Sequence, residues 1–298
     1  MMQTTKPLNS QSQPTRHTDE VAASTDPGVI LKFWRDFNAS QCLVNSEMER
    51  LAMEKLAPRV PGLKAIMFDV DGVLLNDVHL GAIFDLALRN SGLRVGPGEI
   101  CLHGKIEAQS GRIEQNLQTF LGRYQIELST EEALAAISAA GHQIGRALGS
   151  ELTAAFSVDG LAQLGRVFPL GLATSKTKPD LLRTLETLGI SEYFRAIVTR
   201  EDVPADGSDL KGLNLARVRL GDASLTSLLP EEVLYIGDMS TDGKAAAAAG
   251  MPFAGVIAPM DRASLVESEI ALMKAGAIAV FPHTDALINS ILKVAAST

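Results

Sequence analysis

The sequence predicts an α/β protein: a parallel-sheet core flanked by helices, interrupted by an inserted α-helical domain and preceded by an N-terminal helical extension. Three observations predict it. A short apolar run, Ala65 to Phe68, ends in Asp69-Val70-Asp71-Gly72, which is how a buried parallel strand delivers acids into a crevice at its C-terminal end. From Val158 onward, short apolar runs alternate with helical patterns, as in a parallel sheet with helices on both faces. Between these regions, from Val78 to about Phe156, Leu, Ile and Ala recur at helical spacing without a strong strand pattern.

Composition bounds the classes of function. A chain of 298 residues, 46% hydrophobic, can bury a sizeable core and has the length for two units. Its net charge of −8 disfavours a broad nucleic-acid footprint. No apolar run approaches the ~18 residues of a membrane span. Cys42 and Cys101 stand far apart without metal-ligand spacing, and read as reduced thiols rather than a disulfide.

In chain order, residues 1–27 are polar and lack hydrophobic periodicity, so a disordered tail is expected; without an apolar signal region, the expected compartment is the cytoplasm. Residues 28–63 read as a helical extension of two helices, ending before Pro58 and Pro61, with its apolar face packed on the core. A partner-docking role is the alternative. The core is expected over 64–78 and 157–298, and the helical insertion over 79–156, where it would cover the strand end bearing the acids. After it come strands at Phe168–Ala173, Ala196–Thr199, Val233–Ile236, Phe253–Ile257 and Ala277–Val280. The helices between and after them are Pro179–Leu188, Leu213–Leu220, Asp242–Ala249, Arg262–Lys274 and Thr284–Lys293.

In such sheets the residues just past each strand carry the chemistry. Asp69 and Asp71 follow the first strand; for both to face one reactant the chain must leave strand geometry, which Gly72 permits. Thr174, Ser175 and Lys176 follow the second, and Gly237-Asp238-Met239-Ser240-Thr241-Asp242 the fourth. Lys211 precedes a helix in the loop after the third. Acids brought this close repel and call for a cation or a shared proton, and hard oxygen ligands suit Mg²⁺. As plain structural residues, Thr174 and Asp242 would each cap a helix, and Asp69 and Asp71 would be solvated turn acids.

These residues carry a resemblance. FDVDG, an apolar strand ending in Thr, a later Lys and GDMSTD resemble the four motifs of the haloacid dehalogenase superfamily, and the helical segment between the first two resembles the α-helical cap of its phosphoglycolate phosphatase and β-phosphoglucomutase members. The resemblance runs from about Lys64 to the C-terminus. It implies a Rossmann-like core and a phosphatase that acts on a small phosphorylated metabolite, as a monomer or homodimer, through an aspartyl phosphate on Asp69. It makes Asp71 the general acid and then the base, and Thr174 and Ser175, with Lys211, the phosphate-binding groups. Mg²⁺ would be held by Asp69, the Asp71 carbonyl and Asp238, with Asp242 as a ligand or supporting acid. Arg112, following Gly111 in the cap, matches the place where sugar-phosphate relatives present an arginine to substrate; a solvated helix-start charge is the plainer reading.

The sequence departs from the pattern at Val73, where Thr is usual, and at Lys211-Gly212, where Lys-Pro is usual; Lys178-Pro179 has the dipeptide but follows Thr174 too soon. A phosphomutase of the β-phosphoglucomutase kind and a binding protein on a retired enzyme fold are the alternatives. A dehalogenase would have no use for Asp71.

Overall fold

The computed structural model describes residues 24–40, 46–76, 78–96, 100, 118, 121–122, 126–148, 154–203, 211–259 and 265–297. Arg112, both cysteines and the expected tail as far as residue 23 lie outside them. The chain enters at helix α1 (Pro27–Ser40), with Pro27 at its first position. The Asp26 carboxylate accepts from the amides of Gly28 and Val29 at 2.9 and 3.0 Å, which satisfies donors that the first helical turn leaves orphaned. Helix α2 (Ser46–Leu56) ends just before Pro58, as its sequence requires.

Strand β1 (Ala65–Phe68) is wholly buried, and a tight turn follows it. The amide of Gly72 donates to the carbonyl of Leu75, and those of Leu74 and Leu75 to that of Val70. Leu75 then bridges Ala154 in antiparallel fashion, so the segments entering and leaving the helical insertion are hydrogen-bonded side by side. Within the insertion lie α3 (Val78–Asn90) and α4 (Thr130–Leu148).

The alternating part begins with α5 (Val158–Val167), β2 (Leu170–Ala173), α6 (Lys178–Leu188) and β3 (Phe194–Val198). It continues with α7 (Leu213–Ala223), β4 (Val233–Gly237), α8 (Ser240–Ala249) and β5 (Phe253–Val256). It closes with α9 (Leu265–Lys274), β6 (Ala279–Phe281) and α10 (Thr284–Ala295). The six strands are all parallel, in the order β3-β2-β1-β4-β5-β6. Expected and observed bounds differ by a few residues: the helix expected to end at Leu220 runs to Ala223, and the last strand starts at Ala279 and includes Phe281.

Alternation sorts the strands' side chains onto two apolar layers. Ile66, Phe68, Leu172 and Ile236 share one with Leu161 and Leu287; Met67, Val198 and Tyr235 share the other with Leu213, Leu220 and Ala246. One expectation needs correcting. Only α2 packs on the core, where Ala52 and Leu56 join the first layer and Glu49 meets His283 at 3.3 Å. Helix α1 packs instead on the insertion, burying Ile30, Leu31 and Trp34 against Ala82, Leu86 and Ile144. Trp34 reaches this position because position 81 is glycine: a Cβ there would come within 2.5 Å of its ring. The Trp34 indole N–H donates to Asp85 Oδ2 at 3.0 Å, and Arg89 pairs with the same buried carboxylate.

Candidate active site

The strand order brings the site together. β1 lies between β2 and β4, with Phe68 level with both Leu172 and Ile236. Asp69 stands one residue past Phe68, Thr174 two past Leu172 and Asp238 two past Ile236, so three neighbouring strands release these candidate residues at one edge of the sheet. The chain crosses from one half of the sheet to the other there, which opens a crevice.

Asp69 is 6% exposed. Its Oδ1 accepts from the amide of Val70 at 2.7 Å, and its Oδ2 takes the ammonium of Lys211 at 2.6 Å. The same ammonium lies 2.5 Å from Asp242 Oδ1. Asp242 is fully buried; it also accepts from the hydroxyl of Tyr235 at 3.2 Å and from the amide of Met239 at 2.8 Å. Burial works against the Lys211 charge, but the Asp242 and Asp69 carboxylates outweigh it and hold its pKa well above the ordinary lysine value. Burial pushes the Asp242 carboxyl up, and Asp69 adds to this while Lys211 opposes it. Tyr235 is raised by burial first and then by Asp242.

Carboxylate oxygens of Asp69, Asp238 and Asp242 all lie within 4.8 Å of one another. The approach depends on two glycines. Gly72 has φ +74°, and a Cβ there would meet Asp238 Oδ2 at 2.6 Å; a Cβ at Gly237 would meet the Asp242 carboxylate at 2.5 Å. Three hard anionic donors in one buried place fit a small divalent cation such as Mg²⁺. The Asp71 carboxylate is not among the three; it turns instead to Lys176 Nζ at 2.9 Å.

Apart from Arg112, which lies outside the described residues, the sequence-derived candidates can now be placed. Lys211, and not the exposed Lys178, meets Asp69. The departure from Lys-Pro has a physical reason: Gly212 sits at φ +65°, which proline cannot adopt, and a side chain there would collide with Val198. Thr174 does not cap α6. That duty falls to Thr177, while the buried Thr174 hydroxyl accepts from the amide of Lys176 at 3.3 Å. Ser175 is exposed, and its carbonyl accepts from Arg200 Nε at 2.9 Å. Asp242 does hold the first turn of α8 through the Met239 amide while it pairs with Lys211. Sequence reasoning assigned no role to Lys176 or Tyr235. The available signals were a lysine two residues past a strand-end threonine and a hydroxyl-bearing ring inside a buried strand.

A doubly wound sheet with a lysine-linked aspartate pair at its crossover defines a class, and the sequence family agrees. The chain belongs to the haloacid dehalogenase-like hydrolases, whose family model matches residues 66–256. Among curated relatives, a phosphoglycolate phosphatase of Yersinia pestis is 30% identical over 199 residues, covering 65% of this chain and 81% of the relative. A phosphoglycolate phosphatase of Salmonella choleraesuis is 37% identical over 87 residues, 29% of this chain and 32% of its own. The protein is thus a phosphatase of this family. Solved structures share its fold. A haloacid dehalogenase-like protein of Agrobacterium tumefaciens superposes with a TM-score of 0.59 at 20% identity, over 78% of this chain and 99% of that one. A HAD family hydrolase of Deinococcus radiodurans, solved with bound phosphate and sodium, gives 0.56 at 20% identity, over 78% and 97%. Among the described residues, no helix is long and apolar enough to cross a membrane.

Proposed function

We propose that the protein is a Mg²⁺-dependent phosphatase that hydrolyses a small phosphomonoester metabolite, a sugar phosphate or a phosphoglycolate-like acid, through an aspartyl phosphate on Asp69. The observation that carries this reading is the buried Asp69 carboxylate, held by Lys211 beside Asp238 and Asp242. Asp69, Asp238 and the Asp71 carbonyl would hold the ion, with Asp242 supporting through Lys211. Bound there, Mg²⁺ supplies positive charge that offsets the repulsion between the substrate dianion and the carboxylates.

The chain's own residues account for the rest. Lys211 neutralises charge on Asp69 and on the arriving phosphoryl group. An Asp69 oxygen attacks phosphorus as the bond to the leaving oxygen breaks, and Asp71 donates its proton to that oxygen. Water then attacks the aspartyl phosphate: Asp71 takes back a proton, the bond from Asp69 to phosphorus breaks, and phosphate leaves. The Thr174 hydroxyl, which accepts from the Lys176 amide, keeps its own proton to donate to a phosphoryl oxygen.

The test is phosphate release from a panel of phosphomonoesters headed by phosphoglycolate, with and without Mg²⁺, for the wild type and Asp69→Asn. Release that requires both Mg²⁺ and Asp69, with loss of at least about 10³-fold in the folded variant, supports the reading. Variant activity near wild type overturns the nucleophile assignment. Interconversion of hexose phosphates without release would make the protein a mutase.

A further inference from the structure

Asp69 and Asp71 are one residue apart, yet each is paired with a different lysine. Lys211 holds Asp69 in the buried cluster, whereas Lys176 holds Asp71 Oδ1 at 2.9 Å outside it. Lys176 is 19% exposed and Asp71 36% exposed, so the pair sits where the crevice opens. The Lys176 loop is braced. Its amide donates to Thr174 Oγ1, its carbonyl accepts from the amide of Arg200 at 3.0 Å, and the Arg200 side chain holds the neighbouring Ser175 carbonyl.

We propose that Lys176 is a positioning residue for the leaving-group step: by anchoring one oxygen of Asp71, it aims the other at the leaving oxygen of the substrate. The backbone turn fixes where Asp71 starts, but an aspartate at the crevice mouth still chooses among side-chain rotamers. A general acid acts only within about 2.6–3.2 Å of the atom it protonates, and a displacement of about 1 Å costs on the order of 10²-fold in rate. An ammonium on a braced loop selects one rotamer without entering the chemistry. This rests on Asp71 being the acid.

The experiment compares wild type, Lys176→Met, Lys176→Arg and Asp71→Asn on two esters in Mg²⁺. One is p-nitrophenyl phosphate, whose leaving group needs no proton. The other is phosphoglycolate, or the alkyl phosphomonoester that the panel selects. Because Asp71 also serves as base when water attacks the aspartyl phosphate, leaving-group release is read in the first turnover, before that step. Lys176→Met is expected to lower kcat and first-turnover release on the alkyl ester by at least about tenfold, with KM unchanged and the first-turnover burst of p-nitrophenolate within about threefold of wild type. Lys176→Arg should restore most of the loss. Equal losses on both esters, a rise in KM in place of the fall in kcat, or no loss would overturn the proposal. Asp71→Asn separates the two failures. If it distinguishes the esters and Lys176→Met does not, only the positioning role falls; if it does not distinguish them, the acid role falls and the proposal with it. Should Lys176→Met fail to fold by circular dichroism, Lys176→Gln takes its place under the same criteria.

Discussion

Lys211 carries two carboxylates at once, and the consequences can be measured. Replacing it with Met leaves Asp69 and Asp242 buried and facing each other without their shared cation. Breaking such a buried set costs about 3 kcal/mol or more, and removing its charge from the reacting centre costs turnover at least about 10²-fold. Urea denaturation in EDTA and phosphate release would read the two losses separately. The pH dependence has a defined sign. Because the folded-state pKa of Lys211 is raised, its stabilising contribution is complete below the unfolded value of about 10.4 and is lost as pH rises through the folded value. Thermal melts should therefore separate wild type from Lys211→Met at neutral pH and converge only at strongly alkaline pH.

At the scale of elements, the start of α7 shows how a local backbone state delivers a distant side chain. Lys211 meets Asp69 because β3 ends at Val198 and Gly212, in a left-handed conformation packed against Val198, turns the chain into the helix. Gly212→Pro would restore the family's usual dipeptide, yet it is expected to destabilise by at least about 2 kcal/mol, since the ring fixes φ near −65°. A variant as stable as wild type in urea would show that this turn can be rebuilt. Similar economy governs the turn after β1, where Gly72 admits the Asp238 carboxylate against the backbone.

Across the whole molecule, the N-terminal extension joins two parts that the chain otherwise connects through the hydrogen-bonded segments at Leu75 and Ala154. Helix α1 is seated on the insertion and α2 on the edge of the sheet. Trp34 is the central contact, fully buried over Gly81 and bonded to Asp85. Trp34→Ala should cost about 3–5 kcal/mol, from lost burial and the cavity left behind. If α1 were a loosely held appendage, its unfolding midpoint in urea would be unchanged.

The sequence by itself determined the α/β class and the alternation, and it put Asp69, Asp71, Asp238 and Asp242 at or just past strand ends, because periodicity records burial and strand ends carry short-range signals. Lys211 was narrowed to one of two lysines by its place between strands. Only the tertiary structure decided which strands are neighbours, and hence that β1, β2 and β4 open at one edge. It also decided that Asp71 pairs with Lys176, that Tyr235 buttresses Asp242, and that α1 covers the insertion rather than the core. The physical reason is common to all of these. An apolar stripe states that a face must be buried, and a charged tip that it needs a partner, but several partners satisfy each demand. The choice among them is made when the whole chain packs.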